Sequence, residues 1–226
     1  MKKKYFKITL LILILIAIVS CSKEETETSK QMAARPTVLI NSGDVRIGTQ
    51  IWMIKNLNVS RYRNGDPIPQ VTDETQWANL MSGAWCYYNN ESSKGIIYGK
   101  LYNWYAINDP RGLCPTGYHI PTDAEWTVLT TFLGGEVVAG GKMKALTSWF
   151  SPNNEATNSS GFTGLAGGCR NDMGIFSGIY NNGTWWSSSE YVPSYAYSRS
   201  LSFYYGNAYE YIYGKTNGFS VRCLKD

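Results

Sequence analysis

The helical signals in this 226-residue chain end near residue 146, and strand signals crowd into the remainder of the sequence. That segregation lacks the alternating strand–helix–strand rhythm of a parallel sheet and predicts an α+β fold. The clearest helix covers residues 121–133. Thr122-Asp123-Ala124-Glu125 has the form of a capping box, in which the Thr hydroxyl accepts from the third-residue amide and the Glu carboxylate reaches back. Trp126, Leu129 and Leu133 then fall on one face, and Gly134-Gly135 ends the run. Shorter helices are expected over residues 73–80, 101–107 and 141–146. Short β-rich runs open the domain at residues 38–40, 45–47 and 50–54, separated by Ser42-Gly43-Asp44 and Gly48-Thr49. Residues 84–88, 185–188, 195–205 and 219–224 read as further strands. Gly206-Asn207 is a turn signal, and Tyr209, Tyr211 and Tyr213 continue the alternation beyond it.

The N-terminus predicts where that fold forms. Lys2, Lys3, Lys4 and Lys7 precede an apolar run over residues 10–19, far short of the ~20 residues that span a bilayer. Ile18-Val19-Ser20-Cys21 then reads as a lipobox, so residues 1–20 are expected to be a lipoprotein signal peptide cleaved before a lipidated Cys21. Residues 22–35 are polar, lack aromatics and show no period. Together with Cys21 they make residues 21–36 a flexible lipidated tether, leaving residues 37–226 as one domain. The expected partner is the membrane, and the expected location is the outer membrane, with the domain displayed at the cell surface. Four of the 21 basic residues leave with the signal, and the remaining 17 balance 17 acidic ones, so nothing in the charge points to nucleic acid.

Cys86, Cys114, Cys169 and Cys223 remain for the domain. An even number in an exported chain favours disulfides, and four cysteines allow three pairings that the sequence does not separate. No two stand as CxxC, and His119 is the single histidine, so no metal site is expected. His119 has no nucleophile motif beside it. Asp123 and Glu125 stand two apart on a helix, where side chains do not face each other, and the cap accounts for Glu125. The expectation is no catalysis and no cofactor.

Several segments together resemble the Fibrobacter succinogenes major paralogous domain. They are residues 47–53 (IGTQIWM) with Asn56-Leu57-Asn58, 98–106 (YGKLYNWYA), 114–126 (CPTGYHIPTDAEW), 161–170 (GFTGLAGGCR), 185–190 (WWSSSE) and 218–226 (GFSVRCLKD). They occur in family order across residues 48–226. Tyr118 stands where the family usually has Trp, and Cys169 where it often has Tyr. The Glu24-Glu25 pair similarly resembles the surface-export signal of Bacteroidetes lipoproteins. The family implies an exported, often lipid-anchored domain with no established activity. Parts of the pattern are also similar to formylglycine-generating enzymes and C-type lectin-like folds. That similarity implies a compact domain with a small twisted antiparallel sheet, two or three short helices, long loops and adjacent terminal strands. It also implies a Cys114–Cys223 disulfide, with Cys86–Cys169 as the second pair.

With 17 Tyr and 8 Trp against only 17% charged residues, the composition resembles a recognition surface more than a cytosolic enzyme. The expected function is a non-catalytic binding or adhesion module for a glycan or protein ligand. The alternatives are an enzyme of the formylglycine-generating type and a structural component of surface fimbriae. The expected ligand face is the late hairpin with its Asn- and Gly-rich loops, represented by Tyr204, Tyr211, Asn153, Asn171 and Asn181.

Overall fold

The structure, a computed structural model, describes the backbone of residues 38–41 and everything from Gly43 to Asp226. The signal segment, the tether and Cys21 lie outside the described residues. Three short strands come first: β1 (Val38–Asn41), β2 (Asp44–Ile47) and β3 (Gln50–Met53). After them come α1 (Glu74–Ala78), β4 (Trp85–Cys86), α2 (Ser92–Tyr98), β5 (Leu101–Tyr102), α3 (Trp104–Ile107) and β6 (Tyr118–His119). Helices α4 (Asp123–Phe132) and α5 (Glu136–Met143) precede the late strands. Those are β7 (Gly167–Arg170), β8 (Phe176–Ile179), β9 (Asn182–Val192), β10 (Tyr195–Ser202), β11 (Ala208–Gly214) and β12 (Leu224–Lys225).

The fold is α+β, but the expectation of one small sheet is corrected. Two five-stranded sheets form, ordered β1-β2-β3-β12-β6 and β11-β10-β9-β7-β8, with β4-β5 as a separate ribbon. One pair, β7 with β9, is parallel. Among the described residues there are five α-helices, against four read from the residue pattern and the two or three that the resemblance implied. The extra one, α2, carries no amphipathic signal over seven residues.

In the first sheet the last strand does not meet β1 but lies between β3 and β6: Leu224 pairs with Trp52 on one side and with His119 on the other. The Cys114–Cys223 disulfide ties the approach to β6 to the approach to β12, with the two Cα atoms 6.0 Å apart. The second expected disulfide does not form: Cys86 and Cys169 are free thiols. Strand alternation explains this. Arg170 packs on Trp77 and Phe176, within the same cluster as Cys86. Cys169, one residue earlier on β7, therefore points to the opposite face, where it meets Ser177.

The same two-residue period splits the tryptophan pair of β9. Trp185 joins Trp126, Phe162, Leu201 and Trp52 in one cluster, while Trp186 packs on Phe219 at 4.5 Å in another. Helix α4 delivers Trp126 onto Trp52 at 4.7 Å, and the anticipated capping box is present in full. The helix expected at residues 141–146 starts earlier, at Glu136, and ends at Met143. Gly140 and Gly141 are internal to it rather than at its start, because neighbouring loops cross the helix there: a Cβ on Gly140 would lie 2.0 Å from the Asn207 carbonyl oxygen.

Buried cations pin the loops. Arg222, fully buried, donates to the Met53 carbonyl (3.0 Å), the Phe162 carbonyl and the Asn56 side-chain oxygen (2.9 Å from Nη2). Burial pushes its guanidinium down to about 9. Lys144 donates to the carbonyls of Asn154, Ser202 and Tyr205. Arg170 holds those of Val71, Thr72 and Gly174. None of the three cations has a carboxylate partner; backbone carbonyls, joined for Arg222 by the Asn56 side-chain oxygen, accept their hydrogen bonds.

Candidate binding cleft

The second sheet has two different faces. One is packed under α4 and α5. There Arg199 of β10 pairs with Asp123 of α4 and, at 2.8 Å, with Glu210 of β11. The other face holds a cleft of about 470 Å³ to which all five strands of the sheet contribute. Antiparallel register decides who lines it. Ser200 lies opposite Tyr209 and Ser198 opposite Tyr211, so the even residues of β10 share a face with the odd residues of β11. Ser200 also lies opposite Thr184 of β9, and their hydroxyls meet at 2.7 Å.

The cleft therefore has a polar floor of Thr184, Ser200 and Ser202 and an aromatic wall of Tyr205, Tyr209, Tyr211 and Tyr213. The opposite side consists of Cys169, Asn171, Ser177 and Asn182, and Asn217 and Phe219 close one end. The rings of the wall succeed one another at 6.2, 5.7 and 5.9 Å from Tyr205 to Tyr213. Tyr213 then packs edge-on against Phe219 at 5.0 Å, which anchors the wall in the core. Gly168 (φ +65°) lets β7 approach β8 behind the cleft: a Cβ there would sit 2.7 Å from the Ser177 carbonyl oxygen.

Burial raises the Tyr213 hydroxyl and the Cys169 thiol above their ordinary ranges, so both stay protonated at neutral pH. No Lys, Arg, His, Asp or Glu is among the lining residues.

Of the residues anticipated for the ligand face, Tyr211 and Asn171 line the cleft. Asn171 also accepts from the amides of Met173 and Ile175, which shapes the β7–β8 turn. Tyr204 is exposed on the rim, its ring 5.1 Å from Tyr205. Asn153 and Asn181 are elsewhere. Asn153 holds a loop at φ +45° and donates to the Ala145 carbonyl, and the Asn181 backbone forms the β8–β9 turn. Thr184, Ser200, Ser177 and Asn217 carried no sequence signal of their own, because small polar residues acquire a role only once strand register is known.

Other candidate chemistry resolves differently. His119 bridges Glu125 (Nε2, 3.0 Å) and Asp226 (Nδ1, 2.7 Å), so neither ring nitrogen is available to activate a nucleophile. Burial opposes its charge, but hydrogen bonds and the two carboxylates outweigh burial and raise its pKa. Cys86 is fully buried and pushed up to about 12 by desolvation. It does not share a site with Cys169. Among the described residues no group of three His, Cys, Asp or Glu side chains could hold a metal.

Comparisons with curated proteins and with solved structures returned no match. The profile of one family, the Fibrobacter succinogenes major domain, matches residues 45–225, from β2 to the last strand. The chain belongs to the Fibrobacter succinogenes major domain family.

Proposed function

We propose that this protein is an exported, lipid-anchored binding module that holds its ligand in the tyrosine-walled cleft and displays it at the cell surface. The cleft is the observation that carries the reading. It combines aromatic faces with many hydroxyl and amide groups in a concave site on a rigid sheet. The basic–apolar–lipobox order ending at Cys21 supports export and tethering. The pairing of β3 with β12 and the Cys114–Cys223 bridge support a C-type lectin-like relationship. An enzyme of the formylglycine-generating type needs two cysteines in one site, whereas here Cys86 of β4 is buried in the Trp77 cluster and Cys169 of β7 meets Ser177 on the opposite face of β7.

The test is a glycan array run beside a panel of matrix proteins, comparing the wild-type chain with Tyr211→Ala. Binding that the substitution weakens supports the module. Ligands that bind both proteins equally would place recognition elsewhere. Export is tested separately: a Cys21→Ser chain that is still processed and retained in the membrane would overturn the anchor.

A further inference from the structure

We infer that the cleft takes a neutral, linear oligosaccharide, laid along β11 with successive sugar faces against Tyr213, Tyr211 and Tyr209. This rests on the cleft being the binding site and deepens it to a ligand class.

Three observations converge. The first is the absence of charge. An anionic glycan or a charged peptide side chain would have to bury its charge in this cleft without a partner, which is strongly unfavourable. The second is the kind of polar group present. Ser177, Thr184, Ser200 and Ser202 offer hydroxyls, and Asn171 and Asn182 offer amides. The hydroxyls and the Asn182 amide both donate and accept, as sugar hydroxyls do, while Asn171, whose oxygen is taken by the Met173 and Ile175 amides, keeps its NH2 to donate. Thr184 and Ser200 bond to each other and still keep unused lone pairs.

The third is the ladder of rings. Tyr209, Tyr211 and Tyr213 occupy alternate positions of one strand, with centroids 5.7 and 5.9 Å apart. The series continues through Tyr205, within the cleft, to the exposed Tyr204 on its rim. A single terminal sugar would use one ring; a row of rings suits a chain with repeated apolar faces.

Isothermal titration of the full chain in detergent, with cellohexaose, xylohexaose and mannohexaose against hexagalacturonate and a neutral hexapeptide, tests this. Alkylation of Cys169 reports occupancy of the cleft in the same samples. At least one neutral hexasaccharide should bind and slow Cys169 alkylation, and its disaccharide should bind about tenfold or more weakly. Tyr211→Ala should weaken binding about fivefold while Tyr211→Phe keeps it, and added salt should change affinity less than about twofold. If only hexagalacturonate or the peptide protects Cys169, and Tyr211→Ala removes that protection, the cleft stands as a site and the neutral-glycan inference falls. If a neutral hexasaccharide binds with Cys169 alkylation and the Tyr211→Ala affinity unchanged, the cleft reading falls and takes the inference with it. No binding by any neutral hexasaccharide also overturns the inference.

Discussion

Replacing Asn56 with Leu should remove at least about 3 kcal/mol of stability. The Asn56 side-chain oxygen accepts from Trp185 Nε1 (2.8 Å), Arg222 Nη2 (2.9 Å) and Arg222 Nε (3.2 Å). Its amide nitrogen donates to the Tyr98 carbonyl (2.9 Å) and to the Ser220 hydroxyl (3.2 Å). Leucine leaves buried Arg222 without two of its four bonds, at about 1.5–3 kcal/mol each for a charged donor. It also strands the Trp185 N–H and the Tyr98 carbonyl, at about 1–3 kcal/mol each. The extra apolar burial recovers about 1–2 kcal/mol. The net loss is a large share of the roughly 5–15 kcal/mol that holds a typical domain together. Asn56→Asp keeps every acceptor contact, adds a charge opposite Arg222 and loses only the two donor contacts, so it should cost less than half as much. Urea unfolding followed by tryptophan fluorescence reads both variants, and Asn56→Leu should lower the midpoint by about 1 M or more. A loss below about 1 kcal/mol for Asn56→Leu, or an Asp variant as damaged as the Leu variant, would refute the hub.

The same geometry sets three other outcomes. Cys114→Ala with Cys223→Ala opens a loop spanning 109 residues and should cost about 4–5 kcal/mol in the chain-entropy account; an unchanged urea midpoint would count against that account. In the native protein a maleimide should label Cys169 and spare Cys86, which is fully buried and holds its proton to about pH 12; mass spectrometry showing Cys86 labelled first would reverse the assignment. The raised His119 pKa means that its contribution is complete below its unfolded value of 6.5 and is lost as pH rises through the folded value. Melting temperatures across this range should fall with rising pH more steeply for the wild type than for His119→Gln, and parallel curves would show that the Glu125–His119–Asp226 bridge contributes nothing.

What could be read from the sequence was local. The capping box at Thr122 and the buried Trp185-Trp186 pair each depend on a few adjacent residues, and each is found where expected. The strand expected to run to residue 205 instead stops at Ser202, and Gly206-Asn207 ends a longer connection over residues 203–207. The cleft depends on the phase between strands. Within β10, alternation places Tyr195 and Tyr197 with Arg199, on the face packed under α4. Within β11 it places Tyr209, Tyr211 and Tyr213 together. The β10–β11 connection sets Ser200 against Tyr209, so the two tyrosine sets lie on opposite faces of one hairpin. No count of tyrosines reveals that, because adding one residue to the turn would exchange the faces. The expected second disulfide failed for the same reason: its geometry rests on which face of β7 Cys169 occupies.

The segments that mark the family and the segments that line the cleft are nearly disjoint in this chain. Trp52, Asn56, Trp126, Phe162, Trp185 and Arg222 come from the motif segments, and they form one buried network. Among the cleft residues only Gly168, Cys169 and Phe219 lie in those segments. The tyrosine wall comes from β11 and from Tyr205 just before it, whose exposed side chains contribute little to that network. Tyr211 is 43% exposed, so changing it alters what the cleft presents while leaving the Asn56–Arg222 hub intact. On the proposed reading, stability and recognition therefore depend on different residues: the network draws on both sheets and α4, and the wall stands on the second sheet. A domain built in this way can be duplicated and its wall re-lined ring by ring. Each new surface inherits the scaffold, and each exposed ring changes affinity by only about 1 kcal/mol. With contacts that weak, the lipid anchor proposed at Cys21 would let several copies on one membrane bind far more tightly than any single copy.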